Sequence, residues 1–254
     1  MRHSFRNTLL ITWFLLLVSC NSRVVKTSFE TENIPVSQEN SAVDSAIIEL
    51  YQPYKDILDK DMNRVISVAE VSMEKDKPES LLTNFLGDLL LKQAAVVAEN
   101  MGLDFVPDVA FFNYGGIRTS IPQGEITVGK VFELMPFENK LVFVKLTGRK
   151  MKAFLDYVAA HGGDSLGGVR FTISNDKATK ITIGGKTFDP EKSYWLATND
   201  YVAAGGDGLS MFENSERFID SDKLIRGVII DYLEWMQAQD KMITAKLDGR
   251  ITNE

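Results

Sequence analysis

A chain of 254 residues carrying 28 Lys and Arg against 35 Asp and Glu, net charge −7, is too acidic to coat a nucleic-acid backbone, which takes a basic footprint. Its one cysteine excludes an internal disulfide, and its two histidines, His3 and His161, leave little from which to build a metal centre. The length left after a short leader is enough for one large domain with a real core.

The first twenty residues read as a leader rather than as fold. Arg2, His3 and Arg6 form a basic start, and residues 9–18 form an apolar run too short to span a bilayer as a mature helix. The run ends in Leu17-Val18-Ser19-Cys20, which resembles a bacterial lipobox. Residues 1–19 are therefore expected to be a signal peptide, and Cys20 the lipidated N-terminus of a protein anchored in the bacterial cell envelope, outside the cytoplasm. An ordinary secretory signal with an incidental cysteine is the alternative. Residues 20–42 are polar and read as a flexible tether, leaving residues 43–254 as the folded domain.

Within that domain, helices and strands interleave. Val43, Ile47, Ile48, Tyr51, Tyr54, Ile57 and Leu58 fall at helical spacing, and residues 64–73 alternate as a strand. Residues 79–99 read as a helix, entered through Pro78 and Glu79 and carrying Leu82, Phe85, Leu86 and Leu89 near one face. Asn84 and Asp88 sit four apart on it and share a side. The apolar run Val109-Ala110-Phe111-Phe112 reads as a buried strand. Residues 127–134 read as a short helix, 140–146 as a strand, and 147–159 as a helix with Met151, Phe154, Leu155 and Val158 at core spacing, stopped by Gly162 and Gly163. Strands follow at 169–174 and 180–183, with a hairpin at Gly184-Gly185. A further strand covers 194–198, and a final helix covers 222–237 with Leu224, Ile225, Val228, Ile229 and Leu233 inward. The interleaving gives an α/β class.

The turn Asn113-Tyr114-Gly115-Gly116-Ile117-Arg118 leaves the apolar strand directly. Adjacent glycines let a backbone approach a ligand closely, and Arg118 offers a planar fork suited to phosphate; alone, the string is equally a tight turn with a surface arginine. After it come Gly124-Glu125-Ile126-Thr127, Pro136-Phe137, Leu146-Thr147-Gly148, and Tyr201-Val202-Ala203-Ala204-Gly205-Gly206-Asp207-Gly208. This ordered set resembles the C-terminal domain of the 5'-nucleotidase family, over roughly residues 41–254. The resemblance implies a layered α/β/β/α domain. It also implies a nucleobase held between Phe137 and Tyr201, a ribose read by Asp207, and a substrate turn built from Asn113, Gly116 and Arg118. On residue type alone Phe137 is equally a core aromatic and Asp207 a turn aspartate. Three positions depart from the family pattern: Thr83 for a glycine, Tyr114 for the first turn glycine, and Pro78 for an arginine that helps hold substrate. The last is expected to leave the site one cation short.

The complete family carries a metallophosphatase domain with two metal ions, and this sequence has no histidine and carboxylate set with that spacing. His161, at a helix end, reads as a partner for the helix C-terminus. The resemblance therefore implies the nucleotide- or nucleoside-binding half of a split 5'-nucleotidase, its divalent metal pair residing in a separate metallophosphatase chain. The alternatives are a stand-alone nucleoside- or nucleotide-binding lipoprotein without catalysis, and a scaffold whose pocket no longer binds.

Overall fold

The computed structural model describes Asn33 and residues 44–254. The expected signal peptide and Cys20 lie outside the described residues, as does the tether apart from Asn33. The chain divides between Leu50 and Tyr51, and residues 51–254 form one compact unit.

The first helix, α1 (Ser45–Met62), appears where the spacing predicts it, but none of its residues is buried. Its stripe of Tyr54, Ile57 and Leu58 faces solvent, each more than half exposed. Next comes β1 (Val65–Ala69), where a register shift between Val65 and Ser67 breaks the expected alternation: Ile66 and Ser67 are buried side by side. Helix α2 (Leu81–Asn100) begins two residues later than its sequence suggests. Ser80 is the N-cap. Its hydroxyl accepts the Thr83 backbone N–H, and the Thr83 hydroxyl accepts the Ser80 N–H at 2.8 Å. The threonine that replaces a glycine thus closes a capping box.

The central sheet has five strands. They are β2 (Val109–Phe112), β4 (Lys140–Thr147), β5 (Ser165–Gly167), β9 (Ser193–Asn199) and β10 (Arg217–Leu224), in the order β10-β4-β9-β2-β5. A smaller sheet of order β11-β6-β7-β8 is made of β6 (Val169–Ser174), β7 (Lys177–Ile183), β8 (Lys186–Thr187) and β11 (Ile251–Asn253). β3 (Gly124–Thr127) pairs antiparallel with β1. The remaining helices are α3 (Val128–Leu134), α4 (Gly148–Ala160), the single turn α5 (Asp200–Ala203) and α6 (Ile225–Ala238).

Both faces of the central sheet are covered, which explains why β2 reads as a continuous apolar run. Ala110 and Phe112 point into one core with Leu141, Phe143 and residues of α2, α3 and α6. Val109 and Phe111 point into the other with Val142, Val144, α4, β6 and β7. Helices, central sheet, then α4 with the second sheet: this is a layered α/β arrangement. Burying a phenylalanine such as Phe111 stabilises by about 1.5–3 kcal/mol.

One segment departs from expectation. Residues 217–224 form a strand, and α6 begins only at Ile225, so Leu224 is an exposed cap rather than an inward helical residue. β10 is an edge strand with one buried side chain, Ser221, and charged residues along its length. It therefore carries no apolar alternation to read. Asp222, at positive φ of 57°, lies in the register shift between Asp220 and Leu224, beyond which Leu224 pairs with Lys140 of β4.

Candidate functional site: a cavity at the ends of two parallel strands

β2 and β9 run parallel, with Val109 opposite Leu196 and Ala110 opposite Ala197. Their C-terminal ends lie side by side, so the segments leaving them emerge at one edge. In open α/β sheets this is where ligands bind. The first segment is the turn 113–118; the second is α5 and the loop 204–208.

These segments and the loop before β4 enclose a cavity of about 440 Å³ lined by Asn113, Gly115, Gly116, Arg118, Phe137, Asn139, Tyr201 and Asp207. The six residues singled out in the sequence, Asn113, Gly116, Arg118, Phe137, Tyr201 and Asp207, all line it. Phe137 is 41% exposed and Tyr201 47%, so neither is a core aromatic.

The polar groups are locked together before any ligand arrives. Asn113 is 7% exposed, and its Nδ2 donates to Asp207 Oδ2 at 2.7 Å. The Tyr201 hydroxyl donates to Asp207 Oδ1 at 2.9 Å and accepts the Asp207 backbone N–H at 3.2 Å. These bonds hold Asp207 at φ 55°, a left-handed conformation that aspartate visits more readily than most residues. An ionised carboxylate has about four lone-pair sites; two are used here, and the others remain for a ligand's hydroxyls. From the opposite side the Tyr157 hydroxyl donates to the Asp207 carbonyl at 2.6 Å.

Two glycines are fixed by close approach rather than by turn geometry. A Cβ on Gly116 would lie 2.9 Å from Asn113 Oδ1, and one on Gly206 would lie 2.5 Å from the Tyr201 ring. Gly115, which faces the cavity, has no such neighbour nearer than 4.0 Å.

Four supporting residues escape a reading of the sequence. Asn199 is 2% exposed; its Nδ2 donates to Asn113 Oδ1 at 3.1 Å while its Oδ1 accepts the Val202 N–H, capping α5. Its place before a short helix is the readable signal. Arg226, 7% exposed and lying over the Phe132 ring at 4.0 Å, donates to the carbonyls of Met135 and Phe137 and so fixes the loop that presents Phe137. Asn139 lines the cavity, and its carbonyl accepts the Ile225 N–H at 2.9 Å. Tyr157 carries no signal beyond its helical register.

Around the turn stand charges that the cavity itself does not include. Two ammonium groups lie over the Tyr114 ring, Lys75 Nζ 4.2 Å and Lys77 Nζ 4.8 Å from its centre. Lys75 Nζ donates to the carbonyls of Tyr114 (3.1 Å) and Ile117 (2.6 Å). Burial, then the nearby Arg118 guanidinium, hold its pKa below the usual lysine value. Asp164, 8% exposed, has its carboxyl pushed up to about 7, chiefly by burial, with the Ser165 N–H, Lys77 and the Tyr114 N–H pulling the other way. Asn84 and Asp88 lie elsewhere. Asn84 Nδ2 donates to the Lys246 carbonyl, and Asp88 takes a two-pronged bond from Arg250 at 2.8 Å on each oxygen, so both fasten the C-terminal segment. His161 caps α4, its Nδ1 2.8 Å from the Tyr157 carbonyl. Among the described residues no group of three or more His, Cys, Asp or Glu is placed to hold a metal ion.

Layered sheets and an aromatic- and carboxylate-lined cavity at the ends of two parallel strands define an α/β ligand-binding domain. The sequence model for the 5'-nucleotidase C-terminal domain matches residues 62–214, and the chain belongs to that family. A 5'-nucleotidase of Vibrio vulnificus is 30% identical over 198 residues, covering 75% of this chain and 34% of that protein. Protein UshA of Escherichia coli is 27% identical over 232 residues, covering 89% of this chain and 40% of that protein. Among solved structures, the 5'-nucleotidase precursor of Thermus thermophilus superposes with a TM-score of 0.67 at 27% identity, covering 82% of this chain and 42% of that one. The Haemophilus influenzae NAD nucleotidase, at 19% identity and TM-score 0.61, shares the fold. The chain thus spans about two fifths or less of the length of these relatives.

Proposed function

We propose that this chain is the nucleotide- or nucleoside-binding half of a split 5'-nucleotidase, acting with a separate metallophosphatase chain. The observation that supports this most is the convergence of Phe137, Tyr201, Asp207 and Arg118 on one cavity. A base between the two exposed aromatics gains about 1–3 kcal/mol from stacking. The free lone pairs of Asp207 accept from a ribose diol. Arg118 Nη1 spends one hydrogen bond on the Gly115 carbonyl at 3.2 Å and keeps its other donors for a phosphate. Binding energy from base and sugar then orients the phosphoester for attack.

The described residues do not fit a two-metal centre, so the divalent metal pair and the water it activates belong in this reading to the partner chain. Lipidation of Cys20 would hold this chain at the cell-envelope membrane, outside the cytoplasm, and raise its effective concentration beside a partner on the same membrane. A second reading, a binding lipoprotein without catalysis, uses the same cavity and needs no partner chain.

The test mixes this chain with a candidate metallophosphatase chain and follows AMP hydrolysis. The expected result is a rise in kcat/KM that Arg118→Ala or Tyr201→Ala in this chain abolishes. A mixture no faster than the phosphatase alone, with no complex by light scattering, would overturn the split-enzyme reading in favour of the lone binder or the non-binding scaffold.

A further inference from the structure

β5 runs antiparallel to β2, with Ser165 opposite Phe112, the last residue of β2. One step further out, Asp164 stands across from Asn113, where the cavity's first turn begins. That position is closed off from water, and Asp164 is 8% exposed. Close packing behind it is the reason. A Cβ on Gly163 would overlap the Pro78 carbonyl, and Lys77 Nζ donates to the His161 carbonyl at 2.6 Å. Asp164 therefore lies between the segment before α2, the turn 113–118 and the start of β5.

The turn needs an acceptor there. The Asn113 side chain is taken up by Asp207 and Asn199, and it leaves the helical turn Tyr114–Gly116 without a side-chain cap. The Asp164 carboxyl faces the Tyr114 N–H instead, and it also accepts the Ser165 N–H at 2.8 Å. The charged and titratable groups around it are Lys75 and Lys77 from the segment before α2, Tyr114 from the turn, Tyr157 from α4 and Asp207 from the loop after α5. Near neutral pH the carboxyl exists both with and without its proton. Either form accepts from the turn. Only the ionised form sets a second negative charge beside that of Asp207, behind the cavity.

We infer that Asp164 is a positioning residue that caps the cavity's first turn, and that the proton it carries or releases controls how tightly the cavity holds an anionic nucleotide. This rests on the nucleotide-binding reading and adds a regulation to it. A phosphate in the cavity is opposed by the ionised carboxyl and not by the neutral one. By linkage the bound anion draws a proton onto Asp164, and binding weakens as pH rises. A nucleoside, which has no charge, is little affected by the same step.

The experiment is calorimetry of AMP and adenosine on the full chain in detergent, from about pH 6 to about pH 8.5, in pairs of buffers whose ionisation enthalpies differ so that protons are counted. Asp164→Asn keeps an acceptor and removes the charge; Asp164→Ala removes both. The expected result is that wild-type affinity for AMP falls about three- to tenfold relative to Asp164→Asn across that range, the size of one screened charge. Comparison with the variant cancels the phosphate's own titration. Adenosine affinity stays within about twofold of the variant's at every pH. Wild type takes up protons on binding AMP, and Asp164→Asn does not. Asp164→Ala weakens both ligands at every pH, because the turn loses its acceptor. Parallel AMP profiles in wild type and Asp164→Asn would overturn the inference. So would equal losses of AMP and adenosine in Asp164→Asn at every pH, the mark of a structural brace alone. If neither variant folds, wild type still decides: net proton uptake with AMP and not with adenosine upholds the inference, and its absence overturns it. Wild type that binds neither ligand at any pH would instead remove the nucleotide-binding reading, and this inference with it.

Discussion

Asp164 shows how a single buried group ties the site to pH. Its carboxyl is 8% exposed, accepts the Ser165 N–H at 2.8 Å, and faces Lys77, the Tyr114 N–H and Asp207. Burial raises its pKa from 3.8 to about 7, so the folded state binds a proton that the unfolded chain releases between those values. The stabilising contribution is complete below about pH 3.8 and is lost as pH rises through about 7. Asp164→Asn removes this dependence. The stability gap between variant and wild type should move in the variant's favour by up to about 1.4 kcal/mol per pH unit across that window. Urea unfolding from pH 5 to pH 8 measures it, and a gap independent of pH would contradict the assignment. At this scale residue type narrows the reading without deciding it: Arg118 is equally a donor fork or a surface arginine and Asp207 a sugar acceptor or a turn aspartate, and the ordered set of motifs is what favours the first of each. Residue type is least informative for Asn199 and Arg226, which act through hydrogen bonds to segments far away in the chain.

Among the elements, α4 is the most readable, because Met151, Phe154, Leu155 and Val158 recur at 3.6-residue spacing and all are fully buried. α1 carries a comparable pattern yet buries nothing, since periodicity reports an amphipathic face and not what covers it. β10 is unreadable for the opposite reason: an edge strand gains its place through backbone pairing with β4, which leaves no mark on side-chain pattern. The C-terminal segment is held similarly by a feature that periodicity cannot see. Arg250, 6% exposed, bonds Asp88, Asp248 and the Leu166 carbonyl, and Glu79 accepts the N–H groups of Gly249 and Arg250. Arg250→Met should lower unfolding free energy by about 1–3 kcal/mol, the worth of charge-assisted hydrogen bonds and of the Leu166 carbonyl left without its donor, read by chemical denaturation. A loss below about 0.5 kcal/mol would mean that the segment is held by its strand pairing alone.

For the molecule as a whole, class and core are legible from alternating helical and strand periods, whereas the meeting of Phe137 with Tyr201 is not. Those residues come together because β4 and β9 pair antiparallel, with Leu141 opposite Asn199, so that the segment before β4 lies beside the one after β9, and because Arg226 pins the loop that carries Phe137. No local spacing encodes that; here it is the ordered set of motifs that points to it. The proposed membrane attachment belongs to this scale too. Cys20→Ser should shift the protein from the membrane pellet to the soluble fraction, because stable anchoring takes more than one acyl chain and the substitution removes the acceptor. Retention in the pellet would rule out a lipid on Cys20.

The account depends most on a base stacking in the cavity, and calorimetric titration of AMP into wild type and Tyr201→Ala addresses this directly. Saturable binding by wild type, weakened by about 1–3 kcal/mol in the variant, is the predicted result. Equal AMP affinity in the two proteins, or none in either, would contradict it.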